Sequence, residues 1–186
     1  ERMTICNMSI EGGARCGYIN PDEKTYTYMK DKLCSPKNEN WKKAVNWWKS
    51  LESSDNCIYD DVFKLDASKV EPTITWGITP GQSIGVNQKI PSLNEIDPND
   101  QFIAGEAYEY MGFKPGQSIK NTPIDVCFIG SCTNGRISDL RVAAQVLEHQ
   151  KVAKNIKAFV VPGSEKVAKE AKEEGLDKIF IKAGFQ

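Results

Sequence analysis

Residues 124–150, IDVCFIGSCTNGRISDLRVAAQVLEHQ, decide the reading of the fold. IDVCFIG is a short apolar run rich in β-formers, bounded by a glycine. SDLRVAAQVLEHQ then sets Leu140, Ala143, Ala144 and Leu147 on one face of a helix. The next segments repeat the alternation. IKAFVVPG reads as a second strand, SEKVAKEAKEEG as a helix with Ser164 as N-cap and Gly175 as its stop, and DKIFIKAGF opens a further apolar unit. Strand, helix, strand and helix at this spacing predict an α/β fold, a parallel sheet with right-handed crossovers.

The turn SCTNGR lies between the first strand and its helix. In parallel α/β sheets ligands gather beyond the carboxyl ends of the strands, where Cys132 falls. A helix start favours the thiolate, the form that binds metal or attacks an electrophile. Cys127 is five positions earlier, so regular alternation sends it to the opposite face and into the core. Three readings of Cys132 stay open: a packed thiol, a nucleophile, or one ligand of a metal site completed elsewhere. The sole histidine, His149, sits in the charged stretch LEHQK and is expected in solvent, which leaves a nucleophile without a base.

Working outward, MTICNMSIEGGARCGYI (3–19) is mostly small and apolar and predicts a buried helix turning into a glycine-rich loop. Pro21 and Asp22 open a helix carrying Tyr26 and Met29. ENWKKAVNWWKSLES puts Trp41, Val45, Trp48 and Leu51 on one amphipathic face. VFKLDASKV reads as a strand and its exit, and DQFIAGEAYEYMGF as a helix capped by Asp100. From Thr75 to Asp100 the composition turns to Pro, Gly, Ser, Asn and Asp, which predicts a domain boundary or a long active-site loop. PGQSI occurs at 80–84 and 115–119, a recurrence better ascribed to chance than to duplication.

Composition excludes several classes. Lys and Arg number 24 against 25 Asp and Glu, and no basic block points to nucleic acid. No apolar run is long enough for a membrane span. The six cysteines have irregular spacing and no CxxC, which predicts reduced, mostly buried thiols rather than a disulfide framework or a complete zinc or cluster site. The chain starts at Glu1 and stops within the apolar segment IKAGFQ, so it is expected to be an internal piece of a longer protein.

IGSCTNGR followed by SDLR resembles the cluster-binding signature of the aconitase superfamily. MTICNMSIEGGARCGYINPDE, WKKAVNWWKSL, TWGITP, VVPGS and GLDKIFIKAGF, in order from Arg2 to the last residue, resemble the large-subunit family of bacterial 3-isopropylmalate dehydratases within it. The resemblance implies three-layer parallel-sheet aconitase-like domains, incomplete here, with 1–75 the C-terminal part of one domain and 76–186 the N-terminal part of the cluster-binding domain.

It further implies a 4Fe-4S cluster held by three cysteines, Cys132 being the first and a CxxC beyond the last residue supplying the other two. The cluster's open iron would be a Lewis acid for isomerising 2-isopropylmalate to 3-isopropylmalate through 2-isopropylmaleate, in leucine biosynthesis. By the same carry-over Glu11 and Asn7 are the catalytic candidates, and Arg136, Asn134 and Arg15 the substrate-binding ones. From the residues alone, Glu11 stands in an apolar, glycine-flanked stretch, where a carboxylate is costly unless paired with Arg15 or Arg2. Arg136 suits a substrate carboxylate as well as a surface or subunit contact. Gly135 stands where the family more often has serine, a change expected to loosen the turn.

The implied partners are a small subunit, in a cytoplasmic heterodimer, and a 2-hydroxy di-acid; the chain by itself is expected to be inactive. The alternatives are a sibling hydro-lyase acting on citrate, homocitrate or citramalate, and a non-enzymatic α/β module that binds an anion or a partner at the turn.

Overall fold

The computed structural model describes residues 1–131 and 133–186, so Cys132 lies outside the described residues. The chain divides into two compact units, Glu1–Leu65 and Asp66–Gln186, ahead of the compositional shift at Thr75.

In the first unit α1 spans Arg2–Met8, α2 Glu23–Met29 and α3 Glu39–Lys49. Asp22 starts α2 by accepting from the backbone of Lys24 and Thr25. The apolar stripe of α3 turns inward as expected: Trp48 stacks on Tyr26 with ring centroids 6.2 Å apart and meets Trp41 edge-on at 5.6 Å. The stripe ends there, because Leu51 is exposed.

Two expectations fail in this unit. The helix α1 is not buried: Ile5 and Met8 are 63% and 45% exposed. It is a short helix whose contacts include the Arg2–Asp22 pair at one end and the close approach of Gly17 to the Cys6 backbone. VFKLDASKV forms no strand; Val62, Phe63 and Leu65 are exposed and the segment ends in a turn capped by Asp66. A strand needs a neighbour to satisfy its ladder, and no described strand flanks this one.

The cysteines also depart from expectation. Cys16, Cys34 and Cys57 are exposed, Cys6 and Cys127 partly buried. The exposed three lie in irregular segments with no packed layer above them.

In the second unit β1 (Thr73–Thr75) and β2 (Ser83–Gly85) pair antiparallel. They lead to α4 (Gln101–Met111), which follows Asp100 and ends at Gly112 in the left-handed region. Asp100 occupies the N-cap position without a side-chain cap bond. Trp76 stacks on Tyr108 at 5.1 Å and, with Ile90, Ala104, Ala107 and Ile119, makes a core. The repeated PGQ turns share a local device: the backbone N–H of Gln82 and of Gln117 donates three residues back, to Thr79 and Lys114, while each glutamine Oε1 accepts that residue's N–H. The likeness is one of turn chemistry.

The last third is as expected. β3 (Val126–Ile129) runs parallel to β4 (Lys157–Val160), with Phe128 opposite Phe159. α5 (Ile137–Leu147) makes the crossover, and α6 (Glu165–Glu173) and α7 (Leu176–Ala183) follow β4. Leu140, Ala144, Ala158, Ala171, Phe180 and Phe185 are buried together, and Cys127 packs against them as its alternation demands. Phe185 then bridges Ala158 in parallel, so the chain returns to the sheet beside β4. The opposite sheet face is bare: Val126 and Phe128 are 55% and 60% exposed. Parallel sheets are normally covered on both faces, so the layering of this α/β chain is incomplete. His149 follows the C-cap of α5 at φ 65° rather than riding on the helix, and its side chain is exposed. No described helix is long and apolar enough to cross a membrane.

Candidate functional site

The loop between β3 and α5 is built from its two ends inward. The ladder continues past β4, with the Val161 N–H donating to the Ile129 carbonyl at 2.8 Å. On the far side Gly135 is buried at φ 75°, and a Cβ placed on it would lie 3.4 Å from both the amide nitrogen and the carbonyl oxygen of Ser131. Ser131 and Gly135 thus close the neck of the loop. The Thr133 N–H reaches the Ser131 hydroxyl at 3.4 Å.

Arg136 begins α5. Its N–H donates to Asp139 Oδ2 at 3.1 Å, and its Nε donates to the Thr133 carbonyl at 3.1 Å. The guanidinium therefore folds back over the loop. Gly135 does not loosen this turn. The left-handed conformation there is one that glycine adopts without strain, and the Gly163 N–H pins its carbonyl at 2.8 Å.

The predicted residues fall in both units. In the second, Asn134 is exposed and Arg136 half-buried, and both belong to the closed loop. Cys132, the expected metal ligand, lies outside the described residues. In the first, Asn7 stands in the last turn of α1, Glu11 in the turn after it and Arg15 beyond, all exposed. That turn is tied by the Gly13 N–H donating to Ile10 and the Ala14 N–H to Ser9, both at 2.9 Å. Glu11 pairs with neither Arg15 nor Arg2 among the described ion pairs. Arg2 clamps Asp22 instead, through two bonds of 2.7 Å that hold that carboxyl far below its usual range. With Glu11 in solvent, the burial cost that called for a partner does not arise.

Two further residues shape the loop and were not singled out from the sequence, Gly163 and Asp139. Gly163 is signalled only by the Pro-Gly pair after a strand, which reads as an ordinary turn. Arg141 on α5 grips Glu174, beyond α6, through bonds of 2.8 and 2.6 Å. The guanidinium lowers the Glu174 carboxyl, and the carboxylate raises Arg141. This pair ties α5 to the end of α6 at the surface.

Among the described residues no three His, Cys, Asp or Glu side chains gather as a metal site. The sequence supplies one thiol to the loop, which fits a single ligand of a thiolate-held iron–sulfur cluster and not a whole set. A cavity of about 320 Å³ beside Trp76, Gln82 and Asp100 and one of about 180 Å³ beside Leu140, Val160 and Phe180 contain none of the candidate residues.

Residues 1–186 match the aconitase family (aconitate hydratase) along the whole chain. The chain is 94% identical over its full length to a protein of Prochlorococcus marinus subsp. pastoris named 3-isopropylmalate dehydratase large subunit. It is 84% identical to the protein of that name in a second Prochlorococcus marinus strain and 59% identical to the one in a Synechocystis species. In each case the match covers 100% of this chain and 40% of the relative.

Proposed function

The chain belongs to the aconitase family, and on that premise we propose that it is part of the large subunit of a hydro-lyase that isomerises 2-isopropylmalate to 3-isopropylmalate through 2-isopropylmaleate. The reading is supported most by the 94% identity, end to end, with a relative that carries the isopropylmalate dehydratase large-subunit name. Residues 1–75 would belong to one aconitase-like domain and 76–186 to the cluster-binding one. The remaining chain, a small subunit and a cytoplasmic setting complete the proposal, and this chain alone would be inactive.

Cys132 would supply one thiolate to a 4Fe-4S cluster, with the other two cysteines outside this sequence. The cluster, when bound, supplies Lewis acidity at the substrate hydroxyl. This chain would contribute part of the substrate-binding and proton-handling groups. Arg136 turns its guanidinium over the loop, and its fixed charge would attract a carboxylate of a di-acid there. Asn134, in the same loop, would be a neutral polar group next to that charge. Arg15 is a second cation for a di-acid, and Asn7 a neutral group to orient it. Glu11 would hold or accept a proton at the substrate hydroxyl.

The test uses the full-length gene product, prepared without oxygen together with its small subunit. Interconversion of the two isopropylmalates is expected, and Glu11→Gln should lower kcat by roughly 10²-fold or more with the protein still folded. Turnover of citrate, homocitrate or citramalate in preference would move the assignment to a sibling hydro-lyase. Absence of all these activities would overturn it.

A further inference from the structure

The loop that carries Cys132 is held by a second turn, and from that contact we infer that Gly163 is a positioning residue for the cluster-binding loop. The inference rests on the reading just proposed. Glycine is not needed at 163 for its backbone conformation, because its φ lies outside the left-handed region. It is needed for closeness. A Cβ at 163 would lie 3.0 Å from the Asn134 carbonyl oxygen and 3.1 Å from that of Gly135. Both obstacles are backbone atoms, which cannot rotate aside as a side chain would. The Gly163 N–H also supplies the 2.8 Å bond to the Gly135 carbonyl.

The segment after β4 therefore grips the loop at both ends, Val161 holding Ile129 and Gly163 holding Gly135. It is itself anchored, since the next residue, Ser164, caps α6 by accepting the Val167 N–H at 3.2 Å. A side chain at 163 would push the two turns apart by a few tenths of an ångström, and so shift the chain two residues from the ligand thiol. Metal ligands depend on the groups that orient them, and here the orienting group is backbone.

The experiment compares wild type, Gly163→Ala, Gly163→Val and Ser164→Ala in the full-length large subunit with its small subunit. It measures iron per protein, the rate at which the visible chromophore bleaches under a chelator, and the melting temperature of the iron-free protein. Ser164→Ala weakens the same turn without entering the loop. It is expected to lower the melting temperature and to speed bleaching far less than Gly163→Ala does. Gly163→Ala should speed bleaching several-fold, and Gly163→Val should speed it further.

Wild-type bleaching in both Gly163 variants, with wild type itself coloured, overturns the positioning role alone. So does equally fast bleaching in Ser164→Ala and Gly163→Ala at the same loss of melting temperature, since stability would then account for both. A wild type that takes up no iron overturns the cluster reading and this inference with it.

Discussion

Gly135 sits at φ 75°, so Gly135→Ala should cost about 1–2 kcal/mol in a denaturant titration of the full-length protein. No measurable loss would mean that the turn is not left-handed. Asp22 both caps α2 and clamps Arg2, which two substitutions separate. Asp22→Asn keeps the cap and loses the charge, and Asp22→Ala loses both, so stability at pH 7 should fall in that order. The folded carboxyl lies below its ordinary value of 3.8, so the unfolded chain binds more protons between the two values. The charge's contribution is thus complete above the ordinary value and disappears as pH falls through the lower one. Equal stability of wild type and Asp22→Asn at pH 7 would contradict the clamp. From sequence, alternation sufficed to send Cys127 inward, because period 2 is a geometric rule. The pairing of Glu11 was not readable, because Arg2 finds Asp22 across 20 positions of chain.

Elements were legible where cap, period and partner agree. α6 has Ser164 before it and Gly175 after it, and α5 has a complete apolar face. Removing the cap should matter accordingly: Ser164→Ala is expected to lower stability by about 1 kcal/mol, read as a shifted denaturation midpoint at unchanged slope. An unchanged midpoint would show that α6 starts elsewhere. VFKLDASKV has strand-like residues and no strand, because pairing depends on what lies beside it and propensity does not report that. The latch between Gly163 and Gly135 was illegible for the same reason, being a contact between two turns that sequence spacing does not reveal.

At the scale of the molecule, the α/β plan of the second unit followed from the order of its strands and helices, while the bareness of one sheet face did not. Leu140 is 1% exposed at the centre of the α5–α7 core. Leu140→Ala should therefore cost about 2–5 kcal/mol in the denaturation of the full-length protein, whereas Val142→Ala, on the exposed side of α5, should cost far less. Comparable losses would mean that the exposed side is covered in the full-length protein. The candidate site was legible as a set of residues, through SCTNGR and MTICNMSIEGGAR, but not as an arrangement, since its members belong to two separate units of the chain. The proposed function requires that the thiol in the β3–α5 loop hold iron. The measurement that meets it most directly is the iron content and visible absorption of wild type and Cys132→Ala, in the full-length protein purified without oxygen with its small subunit. A brown wild type beside a colourless, iron-poor and inactive variant is the predicted result. A variant that keeps its iron and its activity would contradict the account.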